Sequence, residues 1–146
     1  MILRIANYEW SLALELSDEG MCFACGPNNP IGLHLKFEFE DGGYVARFTP
    51  RREHMGYSGI VHGGILSTLM DEAMARMVYA MGHWAVTADM QVRFKKPAPV
   101  GRELIVTGRL VSERGRIIDC TAEARDAEGE LYVEATGRMM KVKRDA

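Results

Sequence analysis

Apolar and polar residues alternate with a period of two in most of this chain and with a period near 3.6 in one stretch, and that contrast sorts it into elements. In "LHLKFEFE" (33–40), Leu33, Leu35, Phe37 and Phe39 alternate with His34, Lys36, Glu38 and Glu40, which predicts a strand with one buried face. "DGG" at 41–43 predicts a turn, and "YVARFT" the returning strand of a hairpin. In "WAVTADMQVRFKK", Trp84, Val86, Ala88, Met90, Val92 and Phe94 fall on one face, with Thr87, Asp89, Gln91 and Arg93 on the other. "PAPVG" interrupts the pattern, after which "ELIVTGRLV", "RIIDCTAEARD" and "LYVEATGRMMKV" predict three more strands, separated by "SERG" and "DAEG". The helical stretch is 65–81. Steps of about 100° gather Leu66, Leu69, Met70, Ala73, Met74, Met77, Val78, Ala80 and Met81 on one stripe, with Ile65, Thr68, Glu72, Arg76 and Tyr79 opposite. At the start, "MILRIANYEWSLALELSDEG" predicts an amphipathic helix and "MCFACGPNNPIG" a loop.

The expected order is therefore helix, two strands, helix, four strands. Strands joined by short turns pair antiparallel, and one long helix is available to cover a sheet face, so the fold class is α+β, an antiparallel sheet rolled around a central helix. A length of 146 residues suits a single domain (1–146), with an N-terminal helix and loop over 1–32 and the sheet and central helix over 33–142. The tail "KVKRDA" is charged and expected to fray.

Composition narrows the function classes. With 47% hydrophobic and 26% charged residues and a net charge of -2, nothing points to nucleic acid. The N-terminus lacks the apolar core of a signal peptide, and no apolar run nears the roughly 18 residues of a membrane span, so a cytoplasmic protein is expected. Cys22, Cys25 and Cys120 are an odd number, read as reduced thiols. Cys120 alternates with Ile118 and Ala122 as a core residue. Cys22 and Cys25 form a lone C-x-x-C without a second pair or a paired histidine motif, so no metal is expected.

The candidate chemistry sits on the central helix. Glu72 and Arg76, four apart on the outer face, have the spacing of a solvated pair. Asp71 falls at the edge of the apolar stripe, where it is either a boundary residue reaching water or a partly desolvated carboxylate kept for chemistry. The helix opens on His62-Gly63-Gly64. Glycine weakens a first turn but lets a ligand approach outward-pointing N–H groups, which suits a carbonyl oxygen gaining negative charge; a tight packed turn is the alternative. Nine residues at about 1.5 Å rise separate His62 from Asp71 by some 13 Å. If Gly63 and Asp71 act on one atom, they come from different chains of a twofold dimer.

At these residues the sequence resembles the hot-dog-fold acyl-CoA thioesterases of the 4-hydroxybenzoyl-CoA and phenylacetate-degradation type. The resemblance is carried by "CFACGPNNPIGL", "HMGYSGIVHGGILSTLMDEAM" and "TADMQVRFKKPAPVG". It implies a sheet wrapped around a central helix, dimers or dimers of dimers, and hydrolysis of an acyl-CoA to acid and CoA without a cofactor. It implies Asp71 as general base or nucleophile and the Gly63 N–H as the group that polarises the thioester carbonyl. His62 would orient the loop or the sulfur side, and Thr87 would help place the attacking water. Gly64 lies in the same anion-binding turn. Where many relatives carry asparagine, this chain has Gly56, with His54 the nearby substitute. Lys95, Lys96 and Arg102 flank "PAPVG" as candidates for the CoA phosphates, or as a solvated strand end. Two other readings stay open: a hydratase or dehydratase of the same fold, and an acyl-CoA-binding module without activity.

Overall fold

A computed structural model describes residues 16–142. The expected N-terminal helix lies largely, and the charged tail mostly, outside the described residues. Strand β1 (Glu38–Glu40) turns into β2 (Gly43–Phe48), and a short 3-10 helix (Arg52–His54) leads to the central helix α1 (Gly63–Ala80). The chain continues through β3 (Ala85–Phe94), β4 (Leu104–Arg114), β5 (Ile117–Arg125) and β6 (Leu131–Lys141). The six strands form one antiparallel sheet in the order β1-β2-β4-β5-β6-β3, leaving β3 at one edge.

The expected hairpin turns on Asp41 and Gly42, both in the left-handed region at φ 50° and 77°, the conformation tight β-turns demand. β1 is shorter than the alternation implied. Leu33 and Leu35 are buried and Lys36 is exposed as expected, but this segment spends its backbone on the preceding loop: the N–H groups of Leu33 and Leu35 donate to the carbonyls of Phe23 and Ala24. Phe39, expected inside, is 62% exposed, because its strand lies at the sheet's other edge.

Helix α1 packs across the sheet and contacts β2 through β6. Its buried stripe carries Leu66, Leu69, Met70, Ala73, Met74, Met77 and Val78, against Leu104, Val106, Ile118, Val133 and Met139 from the strands. Each such large side chain contributes roughly 1.5–3 kcal/mol on removal from water. The helix seats close to β4 because a Cβ on Gly108 would lie 2.3 Å from the carbonyl oxygen of Ala73. Two helix positions depart from the wheel. Ala80, placed on the stripe, is exposed in the last turn, and Glu72, placed on the solvated face, is buried.

β3 departs from simple alternation in a way that matters for the site. Thr87 pairs with Met139 and Asp89 with Arg138, so Ala88 is an extra residue, a β-bulge. Paired residues share a face. Met139 is fully buried toward the helix, so Thr87 turns inward with it, while Met90, Val92 and Phe94 face the same way beyond the bulge through Gly137, Ala135 and Val133. The expectation that Thr87 lies opposite Met90 is thus corrected: one inserted residue reverses the parity. Among the described residues no helix is long and apolar enough to cross a membrane.

Candidate active site

Because the bulge turns Thr87 inward, its Oγ1 donates a 2.6 Å hydrogen bond to Asp71 Oδ1. Both side chains are half-buried, so the carboxylate is held at the boundary between α1 and the edge strand β3 with one oxygen engaged. Thr87 Oγ1 also lies 3.5 Å from Met139 Sδ, which closes the inner side of this niche.

At the helix start the N–H groups can be accounted for one by one. His62 is the N-cap and its Nδ1 accepts from the Gly64 N–H at 2.8 Å. That bond puts the ring proton on Nε2. The N–H groups of Ile65 and Leu66 both donate to the His62 carbonyl. The Gly63 N–H donates to none of the described residues, so of the groups a helix N-terminus leaves over it is the one still available. The two glycines therefore differ. A Cβ on Gly64 would lie 2.9 Å from His62 Nδ1, so glycine is needed there for the cap. A Cβ on Gly63 would meet only the Phe94 ring, at an ordinary 3.6 Å. Nothing among the described residues requires glycine at 63.

The remaining candidates have tasks in the fold. His54 is buried, its Nδ1 accepts from the Arg51 N–H, and its carbonyl accepts from the His62 N–H. Burial, then the Arg51 charge, lowers its pKa from the usual imidazole value, so it is a neutral support beneath His62. A Cβ on Gly56 would lie 3.3 Å from His62 Cα, so the glycine at the asparagine position fits the seat of the cap. Lys95 and Lys96 follow Phe94 and therefore stand near the helix tip, but they pair with Glu134 and Glu130 at 3.3 and 2.7 Å. Arg102 donates to the Tyr132 hydroxyl at 2.9 Å and lies 3.6 Å from Asp126. Each of these cations is already engaged.

The sequence did not reveal what covers Glu72. Arg76 stacks on the Tyr79 ring, 4.5 Å from its centroid, rather than forming the expected solvated pair. The loop 20–32 lies over this flank, and burial raises the Glu72 pKa against the lowering influence of the Cys25 thiol and the Arg76 charge. Burial and Glu72 push the Cys25 thiol up in turn.

A model of the thioesterase superfamily matches residues 58–144, more than half of the chain. The chain belongs to this superfamily. Its α+β sheet around one helix is the hot-dog fold of that group. Among similar proteins, an acyl-coenzyme A thioesterase of Mus musculus, THEM4, is 34% identical over 89 residues, 60% of this chain and 38% of that protein. Acyl-coenzyme A thioesterase 13 of Pongo abelii is 26% identical over 68% of this chain and 67% of its own. The chain thus spans about two fifths of the length of the THEM relatives it matches. A crystallised thioesterase superfamily protein superposes with a TM-score of 0.77 at 28% identity, over 82% of this chain and 60% of that one. A Streptococcus mutans protein bound to acetyl CoA shares the fold at a TM-score of 0.70 and 23% identity, over 76% of this chain and 91% of that one.

Proposed function

We propose that this chain hydrolyses an acyl-CoA thioester to a free acid and CoA, at a site formed by Asp71 of one protomer and the Gly63 N–H of its twofold partner. The observation that carries the reading is the pairing of two unspent groups on one helix. Among the described residues, Asp71 has a carboxylate oxygen left over beside Thr87, and Gly63 has an N–H without an acceptor. Eight residues separate them, about 12 Å along the axis, too far for one thioester to meet both within a chain. The edge position of β3 supports a dimer: ten residues of strand, with one edge that no described strand pairs, offer a ladder for a second copy in antiparallel register. Such an arrangement carries Asp71, beside β3, toward the partner's helix tip. The names of the relatives support the reaction class, and the Streptococcus mutans protein supports a CoA ligand.

In this reading the thioester carbonyl oxygen accepts from the Gly63 N–H at the positive end of α1, where charge gained in the tetrahedral intermediate is stabilised. Asp71 takes the proton from an attacking water, or attacks the carbonyl itself to give a mixed anhydride that water hydrolyses once the thiol has left, while the Thr87 hydroxyl holds one carboxylate oxygen and leaves the other facing the thioester. The C–S bond then breaks and the sulfur leaves with the electron pair, taking up a proton as CoA thiol. His62 keeps the tip in shape without touching the reacting atoms. The exposed Tyr57 and Phe94, at 87% and 54%, offer apolar surface beside the tip for the acyl or pantetheine chain.

A thiol-release screen over aliphatic and aromatic acyl-CoAs tests this, with wild type beside Asp71→Asn. Turnover should fall at least about 10²-fold in the variant, the scale of a lost general base. Equal rates, or acyl-CoA binding without CoA release by either protein, reject the assignment. Hydration of crotonyl-CoA in place of thiol release would point to a hydratase.

A further inference from the structure

The flank of α1 away from β3 carries a carboxylate that the proposed reaction does not use. Glu72 is 8% exposed; among the described residues its hydrogen-bond donors are thiols, and the Arg76 charge also acts on it. Cys22 Sγ lies 3.8 and 3.9 Å from its two oxygens, and the Cys25 thiol lies within 4.8 Å of both Cys22 Sγ and the carboxylate. A thiol is a weak donor, and a buried carboxylate without strong partners is costly. Three such groups satisfy one another poorly, yet together they form a donor set for a cation.

The backbone holds the two cysteines in place from both sides. The Gly26 N–H donates to the Cys22 carbonyl at 2.8 Å, closing a turn over Cys22 through Cys25. A Cβ on Gly26 would lie 2.4 Å from the Cys22 nitrogen, so a side chain there would open that turn. Phe23 and Ala24, between the cysteines, are pinned by the N–H groups of Leu33 and Leu35 at 2.8 and 2.9 Å. The result is that one donor atom from each of Cys22, Cys25 and Glu72 lies within 4.8 Å of the other two. Tetrahedral zinc, with bonds of about 2.3 Å to sulfur and 2.0 Å to oxygen, sets donor-to-donor edges of roughly 3.5–3.8 Å. The Cys22–Glu72 separations lie within about 0.4 Å of the sulfur-to-oxygen edge, and small side-chain rotations would bring in this edge and the two to Cys25, which are no longer than 4.8 Å.

We propose that Cys22, Cys25 and Glu72 bind a zinc ion that clamps the loop 20–32 to the flank of the central helix. Two thiolates select a borderline-soft ion over magnesium or calcium, and one carboxylate suits the remaining coordination. Binding replaces two S–H bonds by two Zn–S bonds and releases two protons to solvent, while the Glu72 carboxylate donates an oxygen lone pair. The fourth position is open to a water, because Cys22 lies at the surface. The metal is separate from the thioester chemistry: it organises the flank of α1 about 100° around the helix from Asp71. Glu72 was thus absent from the sequence argument against a metal, which counted only cysteines and histidines.

The test uses the full chain, reduced and stripped with a chelator, then titrated with Co²⁺ and Zn²⁺. The wild type should take up one ion per chain and develop a near-ultraviolet thiolate-to-cobalt charge-transfer band with the visible bands of a tetrahedral site. Zinc should bleach these bands and raise the melting temperature. Cys22→Ser and Cys25→Ser should each lower zinc affinity more than about 100-fold, beyond the 10–100-fold of a merely supporting residue. Glu72→Gln should weaken zinc at least about 10-fold while keeping the thiolate band. Asp71→Asn should bind as wild type does. No charge-transfer band in folded, reduced wild type overturns the proposal, as does unchanged zinc affinity in Cys25→Ser. A Cys22–Cys25 disulfide in the isolated protein, with no metal uptake after reduction, overturns it too. If Cys25→Ser fails to fold, the exposed Cys22→Ser and the wild-type spectrum still decide, and failure of thioester hydrolysis leaves these readouts untouched.

Discussion

Asp71 and Glu72 are consecutive carboxylates on one helix, yet they sit in opposite surroundings. Asp71 faces an edge strand, half-buried, with one oxygen on a threonine hydroxyl. Glu72 faces the loop of the two cysteines and is nearly sealed. A step of about 100° around a helix decides which neighbour a side chain meets, and the neighbours here differ in kind: an edge that another chain can complete, and a loop that closes on the chain itself. The first suits a group that acts on a substrate between protomers. The second suits a group that binds something small and stays.

That contrast can be pressed at Gly63 first. Proline is at home in the first turn of a helix and has no N–H, and His62, at φ -60° and ψ 134°, already has the extended backbone that a residue before proline requires. Gly63→Pro should therefore keep the fold and lower turnover by about 10²-fold, the cost of losing one carbonyl-polarising donor. Circular dichroism and thiol release measured together check both halves; full activity would show that the N–H is idle.

A smaller loss is expected at Thr87. Replacing it with valine keeps the shape and removes the hydroxyl, so Asp71 loses a bond of the kind worth about 1.5–3 kcal/mol to a charged group. Part of that returns through water at a half-buried site, and kcat should fall about 10-fold with KM little changed. Steady-state kinetics on one acyl-CoA decides it.

His62 separates architecture from chemistry. As the cap of Gly64 it should contribute about 1 kcal/mol, so His62→Ala lowers the melting temperature by roughly 2–4 °C and His62→Asn restores most of it. Recovery of stability without recovery of turnover would mean that the imidazole also touches substrate.

The smallest effect concerns Asp126, a carboxylate with every side engaged. Burial works to raise its pKa, but the Glu130 N–H, the Tyr132 hydroxyl, the Glu128 N–H and the Arg102 charge outweigh it and hold the group below the ordinary aspartate value. Its contribution to stability is therefore present at neutral pH and fades as pH falls below about 4 through the depressed value. Melting curves from pH 7 to pH 2 should show a slightly shallower acid decline in Asp126→Asn than in wild type.

Much of the fold was legible because period decides it: the hairpin at Asp41-Gly42, the four later strands and the buried stripe of α1 all follow from spacing. The failures have local causes. Alternation assumes an uninterrupted ladder, and the bulge at Ala88 breaks it just after the residue that matters, so Thr87 could be placed beside Asp71 by resemblance but not by counting. A helical wheel says which residues face away from the sheet and nothing about what lies over them, so Glu72 looked solvated until the loop 20–32 covered it. The pairs that engage Lys95, Lys96 and Arg102 join segments distant in sequence and leave no local pattern. The glycine pair was readable as a ligand-approach signal, but the division of labour between its members depended on where the His62 ring turned.

Mixing two disabled variants tests the shared site most directly. Asp71→Asn and Gly63→Pro, each purified, are unfolded together and refolded as a mixture. If one site takes its carboxylate and its N–H from different protomers, each mixed dimer regains one intact site of two. Random pairing then returns about a quarter of wild-type thiol release. Activity in the mixture no higher than that of the two variants alone would contradict a site divided between protomers.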